Sequence, residues 1–119
     1  MKLAEVQNVL RSEIVCGAEL LDSDVLTACG SDLMSDVLVF TKENTLLLTG
    51  LTNIQVIRTA EVGDLVGIVF VRGKRPGPEV VELARGKGIP LLVTDFSMYE
   101  ACGIIYGNGV KSCSREAQR

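Results

Sequence analysis

Three short stretches hold the residues with chemistry to offer: TGLTN (49–53), RGKRPG (72–77) and TDFS (94–97). Each ends an apolar run of strand length and opens a segment with helical spacing. In a parallel α/β sheet, strand carboxyl ends and helix N-termini meet on one edge, where ligands bind. That edge would gather Thr49, Gly50, Thr52 and Asn53; Arg72, Gly73, Lys74 and Arg75; and Thr94, Asp95 and Ser97. Three positive helix ends, small hydroxyls and three cations in four positions describe an anion pocket. Phosphate-bearing ligands suit it best, with strand-end amides on the phosphate and the cations balancing its charge. The candidate ligand-binding residues are Thr49, Gly50, Asn53, Arg72, Lys74, Arg75, Thr94 and Asp95. A plainer account covers the same residues. Thr52 or Asn53, Gly77, and Asp95 or Ser97 are ordinary helix caps, each worth about 1 kcal/mol. Arg72, Lys74 and Arg75 then form a solvated turn beside Pro76. The sequence leaves both accounts open.

Asp32 and Asp36 are a second constellation. At i, i+4 on a helix they share a face and could hold a divalent cation such as magnesium together with ligand phosphates. Capping and compensation of the helix dipole explain them more simply, and the same holds for Glu79 and Glu82. No metal and no cofactor is expected. The chain has no His, which removes the commonest general base and any Ser-His-Asp or Cys-His arrangement. It has neither G-x-x-x-x-G-K-[ST] nor G-x-G-x-x-G. Catalysis would rest on carboxylates, Lys, Tyr or Cys. Cys16, Cys29, Cys102 and Cys113 show no C-x-x-C spacing and read as reduced thiols, most of them buried. Cys113 lies in the polar stretch VKSCSREAQR and is expected to be exposed.

The 119 residues, 47% hydrophobic and 23% charged, favour one domain that folds without disulfides or metal. A net charge of −3 and the absence of Trp argue against a nucleic-acid surface. No apolar run approaches a membrane span and no leader pattern precedes the first helix, so a soluble cytoplasmic protein is expected.

The elements that position these residues follow from periodicity. KLAEVQNVLRS carries an i, i+3, i+7 stripe of Leu3, Val6 and Leu10. EIVCGAEL reads as a short strand with a turn at Gly17, and DSDVLTACG as loop and strand around Val25 and Leu26. Ser31 or Asp32 can cap a short helix through Phe40. TLLLTG is a strand and NIQVIRTAEVG a helix with Gly63 past its end. LVGIVFVRG is the strongest strand and lacks polar alternation, so both its faces are buried. PEVVELARGKG is a helix with Pro78 in its first turn, IPLLVTD a strand, and SMYEACGIIYGNG a last helix striped by Met98, Ala101, Cys102, Ile105 and Tyr106. From about residue 45 strand and helix alternate, so right-handed crossovers give parallel strands under helices. The expected fold is a three-layer α/β/α sandwich with a mixed, largely parallel sheet. It occupies 1–109, and 110–119 form a polar, disordered tail. Two helices are apolar on more than one side (Ile54 and Ile57 against Val56 and Ala60; Ile104 and Gly103 off the main stripe). Burial in a two-fold homodimer explains this, as does crowding within one chain.

Taken in order, SDLMSDVL (31–38), TLLLTGLTNIQVI (45–57), GIVFVRGKRP (67–76) and GIPLLVTDFSMYEACGIIYGNG (88–109) resemble the DRTGG domain family, over nearly the whole chain from Lys2 to about Gly109. The resemblance implies a fold similar to the N-terminal domain of the bacterial kinase/phosphorylase of the histidine-containing phosphocarrier protein. It also implies kinship with domains of phosphate acetyltransferases, and with those placed between CBS modules in some inorganic pyrophosphatases. In all of these the catalytic centre lies in another domain and this part is a regulatory or dimer-forming accessory. The contiguous Asp-Arg-Thr-Gly-Gly run is absent. Its nearest counterpart is Gly50-Leu51-Thr52-Asn53, which keeps a hydroxyl but neither the acid nor the Arg, so no family binding role transfers to it.

The reading that follows is a non-catalytic regulatory module, homodimeric, sensing a nucleotide or other phosphorylated metabolite and acting with an unidentified partner protein. The alternative is a purely structural interaction domain with a conspicuous apolar patch and no small-molecule ligand. An enzyme using Asp32, Asp36 or Asp95 comes last.

Overall fold

The computed structural model describes residues 1–40 and 42–113. The chain runs α1 (Leu3–Val9), β1 (Glu13–Cys16), a 3-10 turn (Ala18–Leu20), β2 (Thr27–Gly30), α2 (Met34–Phe40), β3 (Thr45–Thr49), α3 (Ile54–Val62), β4 (Gly67–Phe70), α4 (Pro78–Lys87), β5 (Leu91–Val93), α5 (Met98–Gly107) and β6 (Lys111–Ser112). The sheet order is β1-β5-β4-β3-β2-β6. β1 is antiparallel to β5 at one edge, and the remaining strands are parallel.

The three central strands are the continuous apolar runs of the sequence, and every residue of β3, β4 and β5 is buried. Such runs lack alternation because helices cover both faces. Register sorts the side chains. Leu47, Ile68 and Leu91 align on one face, and Leu48, Val69 and Leu92 on the other. The first row packs against Met34, Val37, Val56, Ile57, Ala60, Val80 and Ala84 from α2, α3 and α4. The second packs against Leu3, Val6 and Leu10 of the first helical segment and Ala101 and Ile105 of α5. The result is a three-layer α/β/α sandwich. α3 lies between α2 and α4, and Val56, Ile57 and Ala60 are all buried. Crowding within the chain therefore accounts for its two apolar sides.

Local chemistry sets the helix ends. Asn53 Oδ1 accepts from Val56 N at 3.3 Å to cap α3. Ser97 and Glu100 form a reciprocal capping box on α5. Pro78 opens α4, and Gly88 closes it in the left-handed region.

Four expectations are corrected. The second strand is Thr27–Gly30, and Val25 and Leu26 precede it; Val25 is buried while Leu26 is exposed. Residues 110–113 are not tail. β6 pairs with β2, and Val110 and Cys113 are buried, because an apolar residue at each end of this stretch can close the open edge of β2. Residues 114–119 lie outside the described residues. Tyr106 is off the buried stripe, 72% exposed. Asp32 lies before α2 rather than on it, so it shares no helix face with Asp36. Ser31 Oγ accepts from Leu33 N instead.

Candidate functional site

The chain steps through β2, β3, β4 and β5 with α2, α3 and α4 all on one face, and then α5 returns across the other face to β6. Loops leave β4 and β5 toward opposite faces, which makes the carboxyl ends of those two strands the topological switch point of the sheet. Arg72, Lys74, Arg75, Thr94 and Asp95 occupy the two loops that part there.

The crevice is stitched by backbone. Arg72 N donates to Phe96 O and Gly73 N to Thr94 O, both at 2.8 Å. These bonds hold Arg72 at φ 56°, a left-handed conformation uncommon for a residue with a side chain. The guanidinium is thereby carried sideways over the β3–α3 turn. A Cβ built on Gly50 would lie 2.8 Å from Arg72 Nη2 and 3.5 and 3.6 Å from the Asp32 carboxylate oxygens. Glycine at position 50 is what lets the two charged groups reach the same patch of backbone.

Asp32 completes this corner. Its Oδ1 accepts from Gly50 N at 2.7 Å and from Thr49 Oγ1 at 2.9 Å. Thr49 is fully buried, and its hydroxyl also accepts from Leu51 N at 3.2 Å. A carboxylate of the chain therefore holds the first amide of the turn, close to the N-terminus of α3.

The other candidates disperse. Arg75 turns away from the crevice to grip Glu13 of β1 with both terminal nitrogens, at 3.0 and 2.7 Å. That fork holds the Glu13 carboxyl below its ordinary range and raises the Arg75 guanidinium. Thr94 is buried, and its hydroxyl donates to Leu10 O at 2.6 Å, fastening β5 to the end of α1. Asn53 caps α3. Asp95 is exposed, with Oδ1 3.0 Å from where a Cβ on Gly73 would sit. Thus Arg72, Gly50 and Thr49 are brought together, while Arg75, Thr94 and Asn53 do structural work. Among the described residues, no ion pair engages Arg72 or Lys74, and both are exposed. Asp32 and Glu13 were missed as partners in this region, since only the sheet order brings them there.

Two openings flank this frame. A cleft of about 240 Å³ lies at the end of β5, between Arg11, Asp95, Phe96 and Glu100. A larger groove of about 660 Å³ runs between α5 and the β2–β6 edge, lined by Ala28, Leu48, Tyr99, Cys102, Ile104 and Tyr106. It is mostly apolar, and Tyr99 and Tyr106 stand 89% and 72% exposed at its side. Among the described residues, no cluster of His, Cys, Asp or Glu is placed to hold a metal ion, and no helix is long and apolar enough to cross a membrane.

No family model matches the chain, and no curated protein matches it. Among solved structures it is similar to the CBS and DRTGG domains of the regulatory region of Clostridium perfringens pyrophosphatase, a structure complexed with the activator diadenosine tetraphosphate. The TM-score is 0.70 at 16% identity, over 87% of this chain and 45% of the other. The chain thus spans less than half the length of that neighbour, and the likeness is one of fold.

Proposed function

We propose that this chain is a DRTGG-type regulatory module, non-catalytic in itself, that senses a nucleotide or another phosphorylated metabolite at the carboxyl ends of β3 and β4. The observation that carries the reading is Arg72. Its backbone is fixed in an uncommon conformation by two hydrogen bonds, its guanidinium is aimed over Gly50, and among the described residues no ion pair engages it. Lys74 adds a second exposed cation two residues on. A phosphate there would meet a bidentate-capable cation beside a positive helix end. The fold likeness to a pyrophosphatase regulatory region that carries a nucleotide activator supports the same class. The resemblance of the sequence to the N-terminal domain of the phosphocarrier kinase, whose catalytic centre lies in another domain, fits a non-catalytic module. The four free cysteines fit a reducing compartment such as the cytoplasm.

The test is a thermal-shift screen against adenine and guanine nucleotides, diadenosine tetraphosphate and inorganic phosphate, with and without magnesium. A ligand at about 100 times its Kd adds roughly 2.7 kcal/mol, which moves a small domain's Tm by several degrees. Arg72→Ala and Lys74→Ala should abolish that shift without altering the unliganded Tm, whereas Arg75→Ala should leave the shift in place. A ligand whose shift survives Arg72→Ala binds elsewhere, and a flat panel removes the sensing role.

The second reading is an interaction module that self-associates through the α5 groove, favoured by the two exposed tyrosines beside an apolar channel. Light scattering on the wild type and on Tyr106→Glu decides it. A dimer that the variant splits supports the reading, and a wild-type monomer at high concentration rejects it.

A further inference from the structure

The parallel pairing of β2 with β6 places Thr27 opposite Lys111 and Ala28 opposite Ser112. One step further in the same register are Cys29 and Cys113. The ladder reaches that step, since Cys113 N donates to Ala28 O at 3.1 Å. Side chains alternate across a sheet. Ala28 and Ser112 both line the α5 groove, so Cys29 and Cys113 share the opposite face, where Cys29 packs against the α2–α4 core. Cys113 is near enough to act electrostatically on the Cys29 thiol. Neighbouring strands lie about 4.8 Å apart, inside the roughly 4.4–6.8 Å that a disulfide spans between Cα atoms. The other two thiols are differently placed. Cys102 packs on the groove face against Met98, and Cys16 sits in the antiparallel edge strand.

We propose that Cys29 and Cys113 are a dithiol site whose oxidation to a disulfide fastens the C-terminal strand to the sheet. The consequence follows from the place of β6 at the edge of the sheet. The strand is two residues long, and among the described residues β2 is its sole strand partner. Val110, Lys111 and Ser112 form one wall of the α5 groove. In the reduced chain that wall is held by the burial of Val110 and Cys113 and by a short edge pairing, and such an edge can open locally. In the oxidised chain it is covalently fixed, so the shape of the groove answers to thiol state.

The oxidant class is a low-molecular-weight disulfide. One protein thiolate attacks its sulfur, giving a mixed disulfide and releasing one small thiolate. The second protein thiolate then attacks the protein-side sulfur of the mixed disulfide and releases the other. Two protein thiols are oxidised, one small disulfide is reduced to two thiols, and the two protons pass to the released thiolates. Burial, followed by the neighbouring Cys113, pushes the Cys29 thiol up to about 12. The docked Cys29 is therefore unreactive and Cys113 is buried, so exchange waits on opening of β6.

The experiment uses the full chain incubated with glutathione disulfide, followed by alkylation of the remaining thiols and non-reducing peptide mapping. The expected product is an intramolecular Cys29–Cys113 link with Cys16 and Cys102 alkylated. It should be reversed by dithiothreitol and accompanied by a rise in Tm of several degrees, because the cross-link closes a long loop. Cys113→Ser should lose both the link and the rise, and Cys102→Ser should keep both. The wild-type map stands even if a variant folds poorly. A link through Cys16 or Cys102, a link between chains, or four alkylated thiols where the urea-unfolded chain does oxidise would each overturn the proposal.

Discussion

Asp32 and Thr49 are joined side chain to side chain, Oγ1 to Oδ1 at 2.9 Å, across the gap between the loop after β2 and the end of β3. The same oxygen takes the amide of Gly50. An acid that reads in the sequence as a helix cap thus serves as a strap between two strand ends.

Removing it leaves the fully buried Thr49 hydroxyl without its acceptor and turns the Gly50 amide over to water. Asp32→Ala is expected to lower stability by about 1–3 kcal/mol, the usual cost of such orphaned groups. Asp32→Asn, which keeps one acceptor oxygen, should cost clearly less. Urea denaturation of the three proteins separates this strap from dipole compensation of α2. If charge at the helix start were what mattered, Asn would be as costly as Ala.

Much of this edge was legible, and the reason is burial. The runs at 46–48, 68–71 and 91–93 read as strands because covered strands show no polar alternation, and each ends at a turn residue that marks the carboxyl edge. Helices were legible from their stripes and from Pro78 and Gly88. What could not be read is adjacency. Glu13 and Arg75 are 62 residues apart, and they meet because β1 pairs antiparallel with β5. Asp32 meets Thr49 because β2 lies beside β3. β6 has two residues, too few for any period, and the polar neighbours of Cys113 make this stretch read as an exposed tail.

Gly30 and Gly103 face opposite circumstances in the same corner. A Cβ on Gly30 would lie 2.5 Å from Cys102 Sγ and 3.3 Å from Met98 Sδ, whereas a Cβ on Gly103 would meet nothing within 4 Å. Gly30→Ala must displace the Cys102 and Met98 side chains and should cost about 1–3 kcal/mol. Gly103→Ala, within the same helix but on its open side, should instead stabilise by about 0.5–1 kcal/mol, the helix-interior difference between the two residues. Placing Gly30→Ala in a Cys102→Ala background relieves the collision, so a double-mutant cycle should show a coupling that Gly103→Ala lacks.

Alkaline stability should report on Cys29. Its thiol rises from an ordinary 9.0 to about 12, through burial first and then through Cys113 beside it. Burial also raises Cys16 and Cys102. The folded state therefore holds these protons more tightly than the unfolded chain does. The stability this contributes is complete below the unfolded value near pH 9 and is lost as pH climbs toward about 12, because the unfolded thiols ionise first. In reductant, the wild-type Tm should fall across that window, and Cys29→Ala should fall less steeply whatever its starting Tm. The slope is the measurement, since the two proteins differ only at position 29. Parallel slopes would mean that Cys29 ionises as freely in the fold as outside it, which its place between β2 and the α2–α4 core does not allow.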